Sequence, residues 1–87
     1  MLKLSVVVCV YNEEGNIQPL VEQIRKALKS YSYEIIYVDD GSTDNTIREV
    51  KEVLDSDLKL IELQKNYGQS TALSAGIDHA NGEYIVT

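Results

Sequence analysis

The sequence predicts an α/β fold on a mostly parallel sheet, in the order β-α-β-α-β-α-β. Three observations carry that expectation. Short apolar runs bounded by turn residues recur at 4–10, 35–39 and 58–63. Runs of that length read as strands buried on both faces, the habit of parallel sheets. Segments with apolar residues at helical spacing alternate with these runs, and the connections are short enough to force right-handed crossovers.

Leu4 to Val10 is rich in β-branched residues and nearly all apolar, which suits a central strand. It gives way to the polar turn Tyr11-Asn12-Glu13-Glu14-Gly15. Asn16 is a competent N-cap, and Pro19 is tolerable because it falls in a helix's first turn. Ile17, Leu20, Val21, Ile24, Ala27 and Leu28 then make one apolar stripe. Arg25, Lys26 and Lys29 complement the negative end of that helix's dipole. The stretch from Glu34 to Thr46, EIIYVDDGSTDNT, is the one the rest of the chain serves. Its apolar run ends in the paired acids Asp39 and Asp40, Gly41 permits a sharp turn, and Ser42, Thr43 and Asp44 can each cap a helix.

The second helix is expected from about Asp44 to Leu54, with Ile47, Val50, Val53 and Leu54 on one face. Leu58 to Leu63 reads as the third strand, closing in the turn Gln64-Lys65-Asn66-Tyr67-Gly68. From Gln69 to about Ala80 small residues dominate, so that helix can lie close to a sheet or a ligand. Asn81-Gly82 is expected to supply a left-handed stop, and Glu83 to Thr87 begins a fourth strand.

With 87 residues the chain is one small domain at most. Its 44% apolar and 25% charged content is that of a soluble globular protein. A net charge of −6 argues against a nucleic-acid partner, which would need a basic stripe. Cys9 stands alone within a strand and reads as a small buried hydrophobe. The first apolar run is too short for a signal peptide or membrane span, so a cytoplasmic location is expected. The chain closes on the apolar Tyr84-Ile85-Val86-Thr87, and a parallel sheet needs both faces covered. The expectation is therefore residues 1–87 as the N-terminal piece of a larger domain. An unpaired apolar strand is also a template for another chain, so a homo-oligomer is expected.

In open α/β sheets ligands bind at the carboxyl ends of the strands, where the three polar turns should converge. Tyr11 offers an aromatic face for a base, and Asp39 an acceptor matched to a ring N–H of uracil or guanine, or to ribose hydroxyls. The amides at Gly68 to Ser70, with Lys65 nearby, would favour anions such as phosphates. Together these describe a nucleotide cleft. Other readings fail on the residues. There is no G-x-G-x-x-G and no G-x-x-x-x-G-K-[ST]. An EF-hand begun at Asp40 would put Lys51 where a bidentate Glu belongs, and His79 has no histidine partner for a metal cluster. A phosphatase-type D-x-D-G-T reading puts Val38 at the nucleophile.

SVVVCVYNEEGNI, EIIYVDDGSTDNT and NYGQSTALSAGIDHANGEYIV resemble the N-terminal half of a family 2 glycosyltransferase. The similarity is greatest to dolichyl- and undecaprenyl-phosphate sugar synthases. It implies a Rossmann-like GT-A fold, here a three-layer sandwich fragment, and inverting transfer of a sugar from a UDP- or GDP-sugar to a lipid-phosphate or saccharide acceptor. Val10, Tyr11 and Glu13 match the motif lining the nucleotide pocket, with Val10 standing where many relatives have proline. Asp39 matches the acid that contacts the nucleobase, and Asp40 the partner that holds the loop or reaches the ribose. Asn66, Gly68 and Ser70 match the stretch approaching the donor from the other side, while Asp44 is expected to cap the second helix. The family's D-x-D acids, which hold Mg²⁺ or Mn²⁺, are expected beyond Thr87, as are any catalytic base and membrane anchor. No catalytic or metal-ligating residue is therefore expected within 1–87, nor sugar transfer by this stretch alone. Two other classes compete. A receiver-like signalling domain needs an Asp ending the third strand, where Leu63-Gln64-Lys65 has none. A non-catalytic module that oligomerises through its unfinished sheet is compatible with the first reading.

Overall fold

Strands and helices alternate without exception in the computed structural model, which describes residues 2–87. The elements are β1 (Leu4–Val10), α1 (Ile17–Ala27), β2 (Tyr33–Asp39), α2 (Thr46–Glu52), β3 (Leu58–Glu62), α3 (Gln69–Asp78) and β4 (Tyr84–Val86). The sheet runs β3-β2-β1-β4 with every pairing parallel. Along β1 and β2 the register is continuous from Leu4 opposite Tyr33 to Val10 opposite Asp39. That pairing explains why β2 starts before its apolar run: Tyr33 and Glu34 are extended because Leu4 and Ser5 lie alongside. β4 pairs only with Leu4 to Val6, so the rest of β1 has an open edge on that side.

The layers follow from strand parity. Ile35 and Tyr37 of β2 face α1 and α2, packing with Val10, Ile17, Val21, Val50 and Leu58. Ile36 and Val38 face α3, packing with Val7 and Ala72. The result is the expected three-layer sandwich. The small residues of α3 serve the sheet: a Cβ on Gly76 would run into the side chains of Val7 and Val38.

Three local expectations are corrected. Asn16 precedes α1, but its side chain makes no capping bond. Gly82 is not a left-handed stop, because α3 ends at His79 with φ −94°. It is glycine for closeness instead: a Cβ there would meet Ser5 Oγ at 2.6 Å and the Leu4 backbone at 2.7 Å. α2 is shorter than expected, because Asp44 and Asn45 are spent on the turn before it.

The amino end of the sheet is closed by polar bonds. Glu34, 3% exposed, accepts from the Ser5 hydroxyl and from Asn81 N–H at 2.7 Å, and its Oε1 lies 2.8 Å from Lys59 Nζ. Burial raises the Glu34 pKa, but Lys59, Ser5 and the Asn81 amide outweigh it and hold the carboxyl below its ordinary value. Arg25 ties the end of α1 to the loop before β3, donating to both oxygens of Asp57 and to the Val53 carbonyl. The Tyr33 hydroxyl also donates to Asp57, whose pKa is lowered first by Arg25.

Candidate functional site

Turns 11–15, 40–45 and 63–68 all leave the carboxyl end of the sheet, and a cleft of about 520 Å³ opens there. Val10, Tyr11, Glu13, Asp40, Asn66 and Gly68, six of the eight residues expected at the site, line it. Leu20, Gln69, Val8 and Cys9 complete the lining. Val8 and Val10 face the α1 layer whereas Cys9 faces the α3 layer, so the cleft wraps the free edge of β1 beyond the reach of β4. The Tyr11 ring, 46% exposed, is available for stacking. Cys9 is half-buried rather than fully buried, and burial followed by the Asp40 carboxylate raises its thiol pKa. It is therefore a poor nucleophile.

Asp40 is committed to the loop. Its Oδ1 accepts from Tyr67 N–H at 2.8 Å and its Oδ2 from Gly68 N–H at 3.0 Å. Gly41, at φ 75°, has the Lys65–Asn66 backbone pressed against its Cα, leaving no room for a Cβ. These contacts seat the third turn on the second. They also take the Gly68 amide, which the sequence had offered to an anion. The Lys65 ammonium sits over the Tyr67 ring, 5.2 Å from its centre.

Two expected site residues do not line the cleft. Ser70 opens onto a separate shallow depression with Thr71, Ser74, Ala75 and Asp78, because α3 turns its side chain away from the sheet edge. Asp39 is fully buried one strand in from the open edge, with its register partner Val10 between it and the cleft. Its Oδ2 accepts from Ser42 N–H at 2.9 Å, while its Oδ1 is buried without a hydrogen-bond partner. A buried carboxylate oxygen without a donor is costly.

Sequence reasoning missed how the first turn is held. Asn12, at φ 52°, donates its N–H to Ser42 Oγ at 2.9 Å and accepts from Thr43 N–H on its side chain at 2.8 Å. Glu13 N–H donates to Thr46 Oγ1 at 2.9 Å, Glu14 N–H to Asp44 Oδ2 at 3.3 Å, and Gly15 N–H to Glu49 Oε1 at 2.8 Å. Asn45 N–H returns a bond to Glu14 Oε1 at 3.0 Å. Asp44 also accepts from the amide and hydroxyl of Thr46, the first residue of α2, although the N-cap position is held by Asn45, whose side chain makes no capping bond; the Thr46 hydroxyl lowers the Asp44 pKa. Ser42 and Thr43 cross-link the turns instead of capping α2.

The resemblance carried by the motifs implies Mg²⁺ or Mn²⁺. Among the described residues no group of three or more His, Cys, Asp or Glu could hold a metal ion, so these residues do not by themselves fit one. No helix among them is long and apolar enough to cross a membrane.

Residues 5–87 match the family model described as "Glycosyl transferase family 2". A dodecaprenyl-phosphate galacturonate synthase of Rhizobium johnstonii is 45% identical over 91 aligned positions, covering 99% of this chain and 27% of the relative. A crystal structure of S. aureus TarS 1-349 in complex with UDP-GlcNAc superposes with a TM-score of 0.82 at 30% identity, over 97% of this chain and 25% of that one. A mannosyltransferase from Pyrobaculum calidifontis, in complex with GDP-Man and Mn²⁺, gives a TM-score of 0.70 at 30% identity, over 95% and 26%. The chain thus spans about a quarter of the length of the relatives it matches.

Proposed function

This chain belongs to glycosyltransferase family 2 and has the GT-A fold, and on that footing we propose that residues 1–87 form the nucleotide-binding part of a sugar-nucleotide site. The observation that carries this reading is the convergence of Tyr11, Glu13, Asp40, Asn66 and Gly68 on one cleft, with the unpartnered oxygen belonging to Asp39, the register partner of the cleft-lining Val10. In the proposed arrangement the base stacks on Tyr11, and its ring N–H donates to Asp39 Oδ1. Small side-chain shifts at the rim, common on binding, would admit the base past Val10. Asp40 holds the 67–68 amides and so keeps the third turn against the donor. Relatives bound to UDP-GlcNAc and GDP-Man support a UDP- or GDP-sugar donor.

For the whole enzyme we propose inverting transfer to a lipid-phosphate or saccharide acceptor. The acceptor oxygen bonds to the anomeric carbon as the bond to the nucleoside diphosphate breaks. The galacturonate synthase relative favours the lipid phosphate, hence a site on the cytoplasmic side of a membrane. Mg²⁺ or Mn²⁺ would stabilise the departing diphosphate there, and none of the residues described here is assigned to it.

Titration of the chain with UDP and GDP tests the reading. Weak, saturable binding of one of them is expected, since few described cations face the cleft to offset the diphosphate charge. No saturable binding into the millimolar range would contradict it. UDP- and GDP-sugars are expected to survive incubation intact, and sugar release above the buffer rate would overturn that part. The exposed Tyr84, Ile85 and Val86 of β4 favour self-association of this chain as well. A monomeric mass by light scattering would count against it.

A further inference from the structure

We propose that Thr46, with Ser42, is a positioning residue for nucleotide binding. It acts through the backbone of the 12–15 turn and touches no ligand. The inference rests on the nucleotide reading above and deepens it.

The sequence around Asp44 reads as a turn leading into a helix, and Asp44 does bond the amide and hydroxyl of Thr46 where α2 begins. The structure gives the same segment a second task. The successive amides of Asn12, Glu13, Glu14 and Gly15 each donate to a side chain of the 42–49 segment: Ser42, Thr46, Asp44 and Glu49. Two amides return the bonds, Thr43 to Asn12 and Asn45 to Glu14. The turn needs such a latch, because Asn12 occupies a left-handed conformation that is uncommon for a residue with a side chain. Tyr11 and Glu13 flank Asn12 and both line the cleft. Freezing the Asn12 backbone therefore fixes the wall on which the base would stack. Of the four acceptors only Thr46 is fully buried, so its bond to Glu13 N–H is the least open to replacement by water. The wall is assembled before any nucleotide arrives, and binding carries no cost of ordering it.

The test uses the 87-residue chain, with amide hydrogen exchange at 12–15 and UDP and GDP titrations as readouts. In the free wild-type chain the Asn12 to Gly15 amides are expected to be protected. Thr46→Val keeps the volume and removes the acceptor. It should speed exchange at Glu13 and weaken binding of the preferred nucleotide by roughly three- to tenfold. Thr46→Ser, which retains the hydroxyl, should restore both. Ser42→Ala, at a more exposed bond, repeats the test should Thr46→Val fold poorly. Arg25→Ala, which breaks the Asp57 network at the far end of α1, should lower stability while leaving affinity near wild type. Unprotected 12–15 amides in the free chain would overturn the proposal. So would wild-type affinity in a Thr46→Val or Ser42→Ala chain whose exchange has quickened. Absence of nucleotide binding by a wild-type chain with protected amides would instead strike the nucleotide reading, and the inference with it.

Discussion

Glu34 and Asp39 stand on the same strand, both carboxylates and both buried, yet their surroundings are opposites. At the amino end, Glu34 has a hydroxyl, an amide and an ammonium on its oxygens. At the carboxyl end, Asp39 has one amide on Oδ2 and nothing on Oδ1. Equal burial with unequal satisfaction separates a group that holds the fold together from one with an acceptor to spare, the acceptor that the proposed arrangement gives to the base. The Glu34 cluster pins the turn into β4 against β1, since Gly82 N–H also donates to Ser5 Oγ. The Asp39 end leaves one buried acceptor unsatisfied, at a cost in stability.

The comparison can be broken by swapping each acid for its amide. The largest effect is expected at Asp39→Asn. Its side-chain oxygen must stay on Ser42 N–H, so the position of Oδ1 acquires an NH₂ that opposes the ring N–H of a base. Nucleotide affinity should drop by at least about tenfold, while thermal stability holds, because the Ser42 bond is kept and the atom exchanged had no partner. Glu34→Gln should do the reverse, costing roughly 1–3 kcal/mol in chemical denaturation with nucleotide affinity unchanged. The same acid sets part of the pH dependence. Glu34 and Asp57 both lie below their ordinary values when folded, so the unfolded chain binds more protons as the medium acidifies. Their stabilisation is fully present above about pH 5 and is lost as pH falls through the folded pKa values. Glu34→Gln should flatten that acid limb. The smallest effect is expected at Tyr37, buried in the middle of the same strand with an unpartnered hydroxyl and a pKa raised to about 12 by burial. Tyr37→Phe removes a group that neither bonds nor binds, so denaturation should shift by less than about 1 kcal/mol, in the stabilising direction.

What was legible in the sequence was what depends on neighbours in sequence. β1 appears with the expected ends because Leu4 to Val10 is apolar throughout and bounded by a polar turn. Contacts between distant residues were not legible. Tyr33 and Glu34 are strand because β1 lies beside them, and nothing local says so. Gly82 looked like a helix stop when its need is closeness to Ser5, far back in the chain. At the site, the turns that carry Tyr11, Asp40 and Gly68 could be read from strand ends and glycines. The depth of Asp39 could not, because it depends on β2 lying inside β1 and on Val10 standing opposite. The latch bonds join residues about thirty positions apart, and a motif that reads as a cap conceals them.

The most direct measurement is a calorimetric titration of wild type, Asp39→Asn and Glu34→Gln with UDP and with GDP, each chain also melted without nucleotide. The account predicts that Asp39→Asn keeps its melting temperature and loses the nucleotide, while Glu34→Gln melts earlier and binds as wild type does. Equal affinity of Asp39→Asn and wild type for the nucleotide that wild type binds would contradict it.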